Sequence, residues 1–219
     1  MLQNFKNSLD NIKKKVSNIG NGLLSANELI LEALKDCDTD KFNEAKNFIK
    51  NISSKTDEID NEIIKVLALY TPEARDLRRV VAYMKITNEL SRACANTRSF
   101  IKGFTDVCAD VDTNTITEYA LPMQTSTVKA IKITITMINT DDADEIQEYY
   151  RDVLIEENKT DDLYEMVEAN LHKLAKELDE FEKFYRMLKA LRKSGKIADR
   201  ASSIANLLVY IQIGGNFHK

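Results

Sequence analysis

Apolar residues recur in alternating steps of three and four along the first part of the chain. An average spacing of about 3.5 residues is typical of a helix that packs along its length at a shallow crossing angle. The pattern predicts one helix from Leu2 to Cys37, a polar turn at residues 38–40, and a second helix from Phe42 to Tyr70. The apolar stripe of the second helix consists of Phe42, Ala45, Ile49, Ile52, Ile59, Ile63 and Val66, with Thr56 as a polar member.

A third helix is predicted to begin at Thr71-Pro72, because threonine can cap a first turn and proline tolerates the first helical position. Weaker periodicity predicts three more helices, from about Thr115 to Ile138, from about Asp144 to Lys176 and from about Asp179 to Ile213. Pro122 is expected in the first turns of the fourth helix or at a kink in it. Only six glycines and two prolines occur, which also favours an all-α fold of six long helices.

The chain repeats itself at a shift of 104 residues. This shift places Lys55-Thr56-Asp57 on Lys159-Thr160-Asp161, and it aligns the apolar face of the third helix with that of the sixth. We therefore predict two tandem three-helix antiparallel bundles related by an internal repeat. Their predicted bounds are residues 1–108 and 109–219, with a connection near Asp106–Asn114.

Composition narrows the class of protein. The sequence is 43% hydrophobic and 30% charged, which is sufficient for a folded core. The formal net charge of -4 makes nucleic acid an unexpected partner. Cys37, Cys94 and Cys108 are odd in number and have no close spacing, which predicts reduced thiols in a reducing compartment. The first residues lack the apolar segment of a signal peptide, so a cytoplasmic location is expected.

No motif of a known enzyme class is present. The sequence contains no glycine-rich phosphate loop, no nucleophile elbow and no carboxylate pair placed for acid-base chemistry, so we predict that the protein is not an enzyme. Glu168 and His172 are four residues apart, whereas a ferritin-like di-iron site needs a spacing of three. His172 and His218 are interpreted as surface residues, and Cys94 as a small core residue.

The start of the third helix resembles the PhoU family through Pro72, Ala74, Asp76, Leu77 and Arg78. The sixth helix is similar to the family's second signature through Ile197, Asp199, Ala201, Ile204 and Ala205. The resemblance implies two similar three-helix bundles in a cytoplasmic, non-catalytic repressor of the phosphate-starvation response. It also implies contacts with a phosphate ABC transporter and a sensor histidine kinase at the membrane, which the protein reaches through these partners.

The resemblance also implies a surface for those partners. The residues expected to form it are Arg75, Asp76, Arg78 and Arg79 on the first turns of the third helix, of which the resemblance singles out Asp76 and Arg78. The alternative is a solvated helix end with weak local ion pairs. Long helices leave extended surfaces, so a homo-oligomer such as a homodimer is expected. A role as accessory protein of a low-affinity phosphate permease is a second reading of the same resemblance.

Family members hold iron, zinc or another divalent cation with a Glu-x-x-x-Asp pair in the third helix of each bundle. The matching positions here are Ser91 and Ala95, and Gly195 and Asp199, so Asp199 is the only retained carboxylate. We expect no cofactor, because a single aspartate cannot hold a hard cation alone.

Two alternatives to a regulator stay open. Asp60, Asp161, Asp162 or Glu165 could complete a site with Asp199, which would favour a helical metal-binding or metal-sensing protein. A structural coiled-coil scaffold with no link to phosphate is the other. Without a metal, the small residues Ser91, Cys94, Gly195 and Ala198 are interpreted as a close-packing seam between helices.

Overall fold

The computed structural model describes the backbone of residues 2–111, 113–174 and 178–214, and the side chains of 3–111, 113–170 and 181–214. The predictions for the His172 side chain, for His218 and for the helix end at Lys176 lie outside these ranges. The described backbone is helical with no strand, as predicted. Its helices of ten or more residues are α1 (Leu2–Asp36), α2 (Thr39–Phe48), α3 (Ile52–Tyr70), α4 (Ala74–Thr105), α5 (Leu121–Asn139), α6 (Ala143–Leu174) and α7 (Leu178–Ile213).

The internal repeat is confirmed by matching helix caps. Asp38 precedes α2, and its Oδ1 accepts hydrogen bonds from the backbone N–H groups of Asp40 and Lys41, both at 3.0 Å. Asp142 precedes α6, and its Oδ1 accepts from the N–H groups of Asp144 at 2.9 Å and Glu145 at 3.0 Å. The two aspartates are 104 residues apart, which is the shift found in the sequence.

The second predicted helix is broken in two, which corrects the prediction of one continuous helix over 42–70. Asn51 adopts a left-handed conformation, with φ of 55°, between α2 and α3. Ile49 and Ile52 are nevertheless both buried, so the apolar rhythm continues through the break. The Arg98 guanidinium donates a hydrogen bond to the Ile49 carbonyl at 3.2 Å. At Gly22, a Cβ atom would lie 2.6 Å from the Phe48 carbonyl oxygen, so α1 can approach this break only at a glycine.

Two other local predictions have different outcomes. Thr71 does not cap the third helix; it ends α3 in a left-handed conformation, and α4 begins at Ala74 after Glu73. Pro122 lies in the first turn of α5, as predicted. A π-helical turn at Ile116–Ala120 precedes it, and the wider turn suits a proline, which cannot donate the regular backbone hydrogen bond.

The two halves of the chain share one hydrophobic core. Helix α4 packs along α7, and α1 packs along α5, so four helices form the centre of the molecule. Helices α2 and α3 cover α1 and α4 on one side, and α6 covers α5 and α7 on the other. One buried apolar cluster runs through both halves. The division into domains 1–108 and 109–219 stays a prediction from sequence.

Cys37 and Cys108 form a disulfide, which corrects the prediction of three reduced thiols. Cys37 follows the end of α1, and Cys108 begins a short 3₁₀ turn after α4, with their Cα atoms 5.6 Å apart. The sequence separation of 71 residues hides this proximity. Cys94 is the free cysteine, and it is buried as predicted. Because two of the three cysteines are bonded, the cysteines no longer indicate a reducing compartment.

Candidate functional site

The predicted partner-binding residues at the start of α4 face different neighbours. Arg75 and Arg79 are four residues apart on one face of the helix and line a cleft with α1 and the end of α7. The Arg75 guanidinium donates a hydrogen bond to the Gln212 side-chain oxygen at 3.3 Å. The cleft also contains Tyr83, which lies one further turn along the same face.

Arg78 faces the end of α7 instead. Its guanidinium lies over the ring of Tyr210, 5.7 Å from the ring centre. It also crosses Gly214, where a Cβ atom would come within 2.0 Å of Nη1 and where φ is +79°. Arg78 therefore fixes the end of α7 against α4. Asp76 is half-buried and is not among the residues that line the cleft of Arg75 and Arg79, so the four predicted residues do not line one cleft.

A second cleft, of about 320 Å³, lies beside Gly195 between α6 and α7. Three carboxylates line it, from Glu157 and Asp161 on α6 and Asp199 on α7. Two cations, Arg192 and Lys196, line the same cleft. The Arg192 guanidinium stacks on the ring of Tyr164, 4.8 Å from its centre, which holds it at the edge of the cleft.

The carboxylates of this cleft repel one another. Burial raises the pKa of Asp199, and the charge of Asp161 raises it further, while Arg200, Arg192 and Lys196 lower it. Burial likewise raises the pKa of Glu157, together with the charges of Asp161 and Asp199. The charged form of Asp199 is therefore disfavoured by the fold.

The residues present do not fit the metal site of the family. Of the four carboxylates named as candidates to assist Asp199, only Asp161 lines its cleft. Asp60 lies on α3 in the other half of the chain, and Asp162 and Glu165 are exposed on α6 outside the cleft. Within the described residues, no three His, Cys, Asp or Glu side chains are placed to hold a metal ion.

The small residues of α7 and α4 are mostly buried. Gly195, Ala198 and Cys94 are buried, whereas Ser91 is half-buried. A Cβ atom on Gly195 would lie 3.3 Å from the Met123 terminal methyl, so the partner of this glycine is a flexible side chain of α5 rather than the backbone of another helix. Close approach of α4 and α7 occurs at Gly103 instead, where a Cβ atom would lie 3.4 Å from the Cβ of Ala190.

Sequence reasoning missed two polar contacts that join the halves. The Arg200 guanidinium of α7 bonds to the Glu89 carboxylate of α4 at 2.9 Å. Gln124 of α5 bonds to Asn27 of α1 and accepts from Ser194 of α7. The only signal for these contacts is the presence of polar residues within otherwise apolar helices. No helix in the described part of the chain has both the length and the apolar character of a membrane span.

Comparison with known proteins identifies the family. The family model for the PhoU domain matches residues 16–99, which include α2, α3 and most of α1 and α4. Residues 16–99 of the chain therefore form a PhoU domain. Among curated proteins, none matches this sequence.

Solved PhoU structures share the fold of this PhoU-domain protein over both halves. The crystal structure of PhoU from Pseudomonas aeruginosa superposes with a TM-score of 0.84 at 19% identity, covering 96% of this chain and 100% of that one. The phosphate transport system regulatory protein PhoU from Streptococcus pneumoniae gives 0.73 at 18%, covering 96% and 98%. A putative PhoU-like phosphate regulatory protein from Shewanella oneidensis gives 0.65 at 15%, covering 91% and 98%.

Proposed function

We propose that this PhoU-domain protein regulates phosphate transport and represses the phosphate-starvation response. The observation that carries the proposal is the PhoU-domain match over residues 16–99. The fold of the second half supports it, because PhoU structures superpose over nearly the whole chain, and one of them is described as a regulatory protein of a phosphate transport system.

The proposed mechanism is binding rather than catalysis. The protein contacts a phosphate ABC transporter and a sensor histidine kinase on the cytoplasmic side of the membrane, and the state of the transporter decides which partner is held. A second copy of the chain completes the assembly as a homodimer. The shared core of the two halves supports this mechanism, because α4 packs along α7 and so joins the half that carries the proposed partner surface to the other half.

The proposed partner surface is centred on the first turns of α4. The half-buried Asp76 lies there, and the neighbouring Leu77 is 42% exposed, which gives the surface an apolar element beside a charge. Arg75, Arg78 and Arg79 flank them. Arg78 contacts Tyr210 near the end of α7, so a partner bound at α4 would lie beside a residue whose position depends on α7.

The test is affinity purification of the tagged full chain from membranes of phosphate-rich and phosphate-starved cells, with proteins identified by mass spectrometry. We expect the phosphate transporter or the kinase to be recovered, in amounts that depend on phosphate supply. Asp76→Lys should reduce this recovery, whereas Arg151→Glu, an exposed change of charge on α6, should not.

Two results would count against the proposal. One is the recovery of neither transporter nor kinase in either condition. The other is a normal phosphate-starvation response in cells that lack the gene. Recovery of a low-affinity permease without any kinase would support the role of an accessory protein instead.

A further inference from the structure

The cleft between α1, α4 and the end of α7 is rich in hydrogen-bond donors. Its volume is about 200 Å³, well above the roughly 10–15 Å³ that a single water needs. Four cationic side chains line it, and they come from two helices that are distant in sequence. These are Lys6 and Lys13 of α1, and Arg75 and Arg79 of α4.

The positive charge of this cleft is only partly neutralised. Asp10 and Asp141 also line it, so its four cations and two carboxylates leave a net charge of +2. Lys13 Nζ lies 3.7 Å from Asp141 Oδ1. Lys6 and Arg79 take part in no ion pair or hydrogen bond within the described residues.

Tyr83 is a second, independent indication of a ligand. The residue lines the cleft and is only 4% exposed. Its hydroxyl makes no hydrogen bond within the part of the chain that the structure describes. The hydroxyl is open to the cleft rather than enclosed, so the oxygen of a bound ligand would take the place of water as its partner. Burial raises the pKa of Tyr83 to about 12, so the hydroxyl is a donor at neutral pH.

We propose that this cleft binds a phosphate group. A phosphate dianion matches the net charge of +2, whereas a carboxylate would leave half of that charge without a counterpart. The guanidinium groups of Arg75 and Arg79 present planar sets of N–H donors, which suit the oxygens of a tetrahedral anion. Tyr83 supplies a neutral donor on the same face of α4.

Two sources share this chemistry. One is free inorganic phosphate, and the other is a phosphate monoester carried on an organic molecule. Binding to the purified chain needs neither transporter nor kinase, so the cleft and the proposed regulatory role can fail independently.

The experiment is a calorimetric titration of the full chain at constant ionic strength, with inorganic phosphate in one arm, phosphoserine in a second and chloride in a third. We expect saturable binding of phosphate or of the monoester, and none of chloride. The arm that binds more tightly identifies the source.

Variants locate the site. Lys6→Gln combined with Arg79→Gln should weaken binding by about tenfold or more, because each removes a charged donor. Tyr83→Phe removes a single hydroxyl and should weaken binding about fivefold. Arg151→Gln, on the exposed face of α6, should leave binding unchanged. The absence of saturable binding in both phosphate arms would overturn the proposal, as would binding that neither cleft variant weakens.

Discussion

Gln124 of α5 donates a hydrogen bond to the side-chain oxygen of Asn27 of α1, at 3.1 Å, and both residues are fully buried. Asn27 in turn donates to the Thr97 hydroxyl of α4 at 3.2 Å, and Ser194 of α7 donates to the Gln124 side-chain oxygen at 2.8 Å. This polar chain joins the four central helices. Because its members satisfy one another, it fixes the register of one half against the other.

Asn27→Leu should destabilise the protein by about 1–3 kcal/mol, because the Gln124 amide then loses a buried acceptor. The measurement is chemical denaturation followed by circular dichroism. Asn158→Leu makes the same exchange on the exposed face of α6 and should change the free energy of unfolding by less than about 0.5 kcal/mol. An equal decrease in the free energy of unfolding in the two variants would show that the buried hydrogen bonds of Asn27 do not stabilise the fold.

The ion pair of Arg200 and Glu89 should contribute more than an exposed pair. Their side chains are 23% and 17% exposed, and they join α7 to α4. A double-mutant cycle with Arg200→Ala and Glu89→Ala should give a coupling of about 0.5–3 kcal/mol. The matched cycle uses Arg186 and Glu182 of α7, which are 57% and 63% exposed, and should give about 0.2–0.5 kcal/mol. Equal couplings would contradict the structural role of the pair between the halves.

The apolar rhythm predicts which helix faces are buried, and from that the fold follows. It does not predict the break between α2 and α3, because Ile49 and Ile52 are both buried and continue the apolar spacing on either side of the left-handed Asn51. Arg75 and Arg79 are predicted partner-binding residues because they lie beside Asp76 and Arg78, which the resemblance to the PhoU family singles out. Tyr83 lies on the same face of α4, but Lys6 joins them only through the packing of α1 against α4, which periodicity within one helix cannot reveal.

Asp199 should weaken the fold at neutral pH. Its pKa is raised in the folded chain, so the folded state holds the proton more tightly than the unfolded state does. Stability therefore rises as the pH falls from neutral through the folded pKa towards the usual range of an aspartate. Asp199→Asn should be more stable than the wild type at neutral pH, and the difference should shrink on acidification.

Denaturation at a series of pH values measures this difference. Asp152→Asn, an exposed substitution on α6, is the matched control for the loss of one negative charge. A difference between wild type and Asp199→Asn that grows on acidification would contradict the sign of the shift.

The purified protein should not retain stoichiometric iron, zinc or manganese after dialysis against each metal and then against metal-free buffer. Asp199 has carboxylates near it, but Arg192 and Lys196 share the cleft and oppose a bound cation. Elemental analysis by mass spectrometry provides the measurement. One metal ion per chain that is lost in Asp199→Asn but kept in Asp152→Asn would favour the metal-binding alternative.

The disulfide makes a simple prediction about thiols. Cells are lysed in the presence of an alkylating agent, so that no bond forms during purification, and modified cysteines are counted by mass spectrometry. The native protein should have no modified cysteine, because Cys37 and Cys108 are bonded and burial raises the pKa of Cys94 to about 12. Unfolding without reductant should expose one thiol, and reduction should expose all three.

The bond should also stabilise the fold, because it links two positions 71 residues apart and so restricts the unfolded chain. The chain-entropy relation gives about 4 kcal/mol for a loop of this length. Cys37→Ser combined with Cys108→Ser should lower the free energy of unfolding by up to that amount, and reductant should then have no further effect. Cys94→Ala keeps the bond and should remain sensitive to reductant. Three modified cysteines in the unfolded, unreduced protein would refute the bond in the cell.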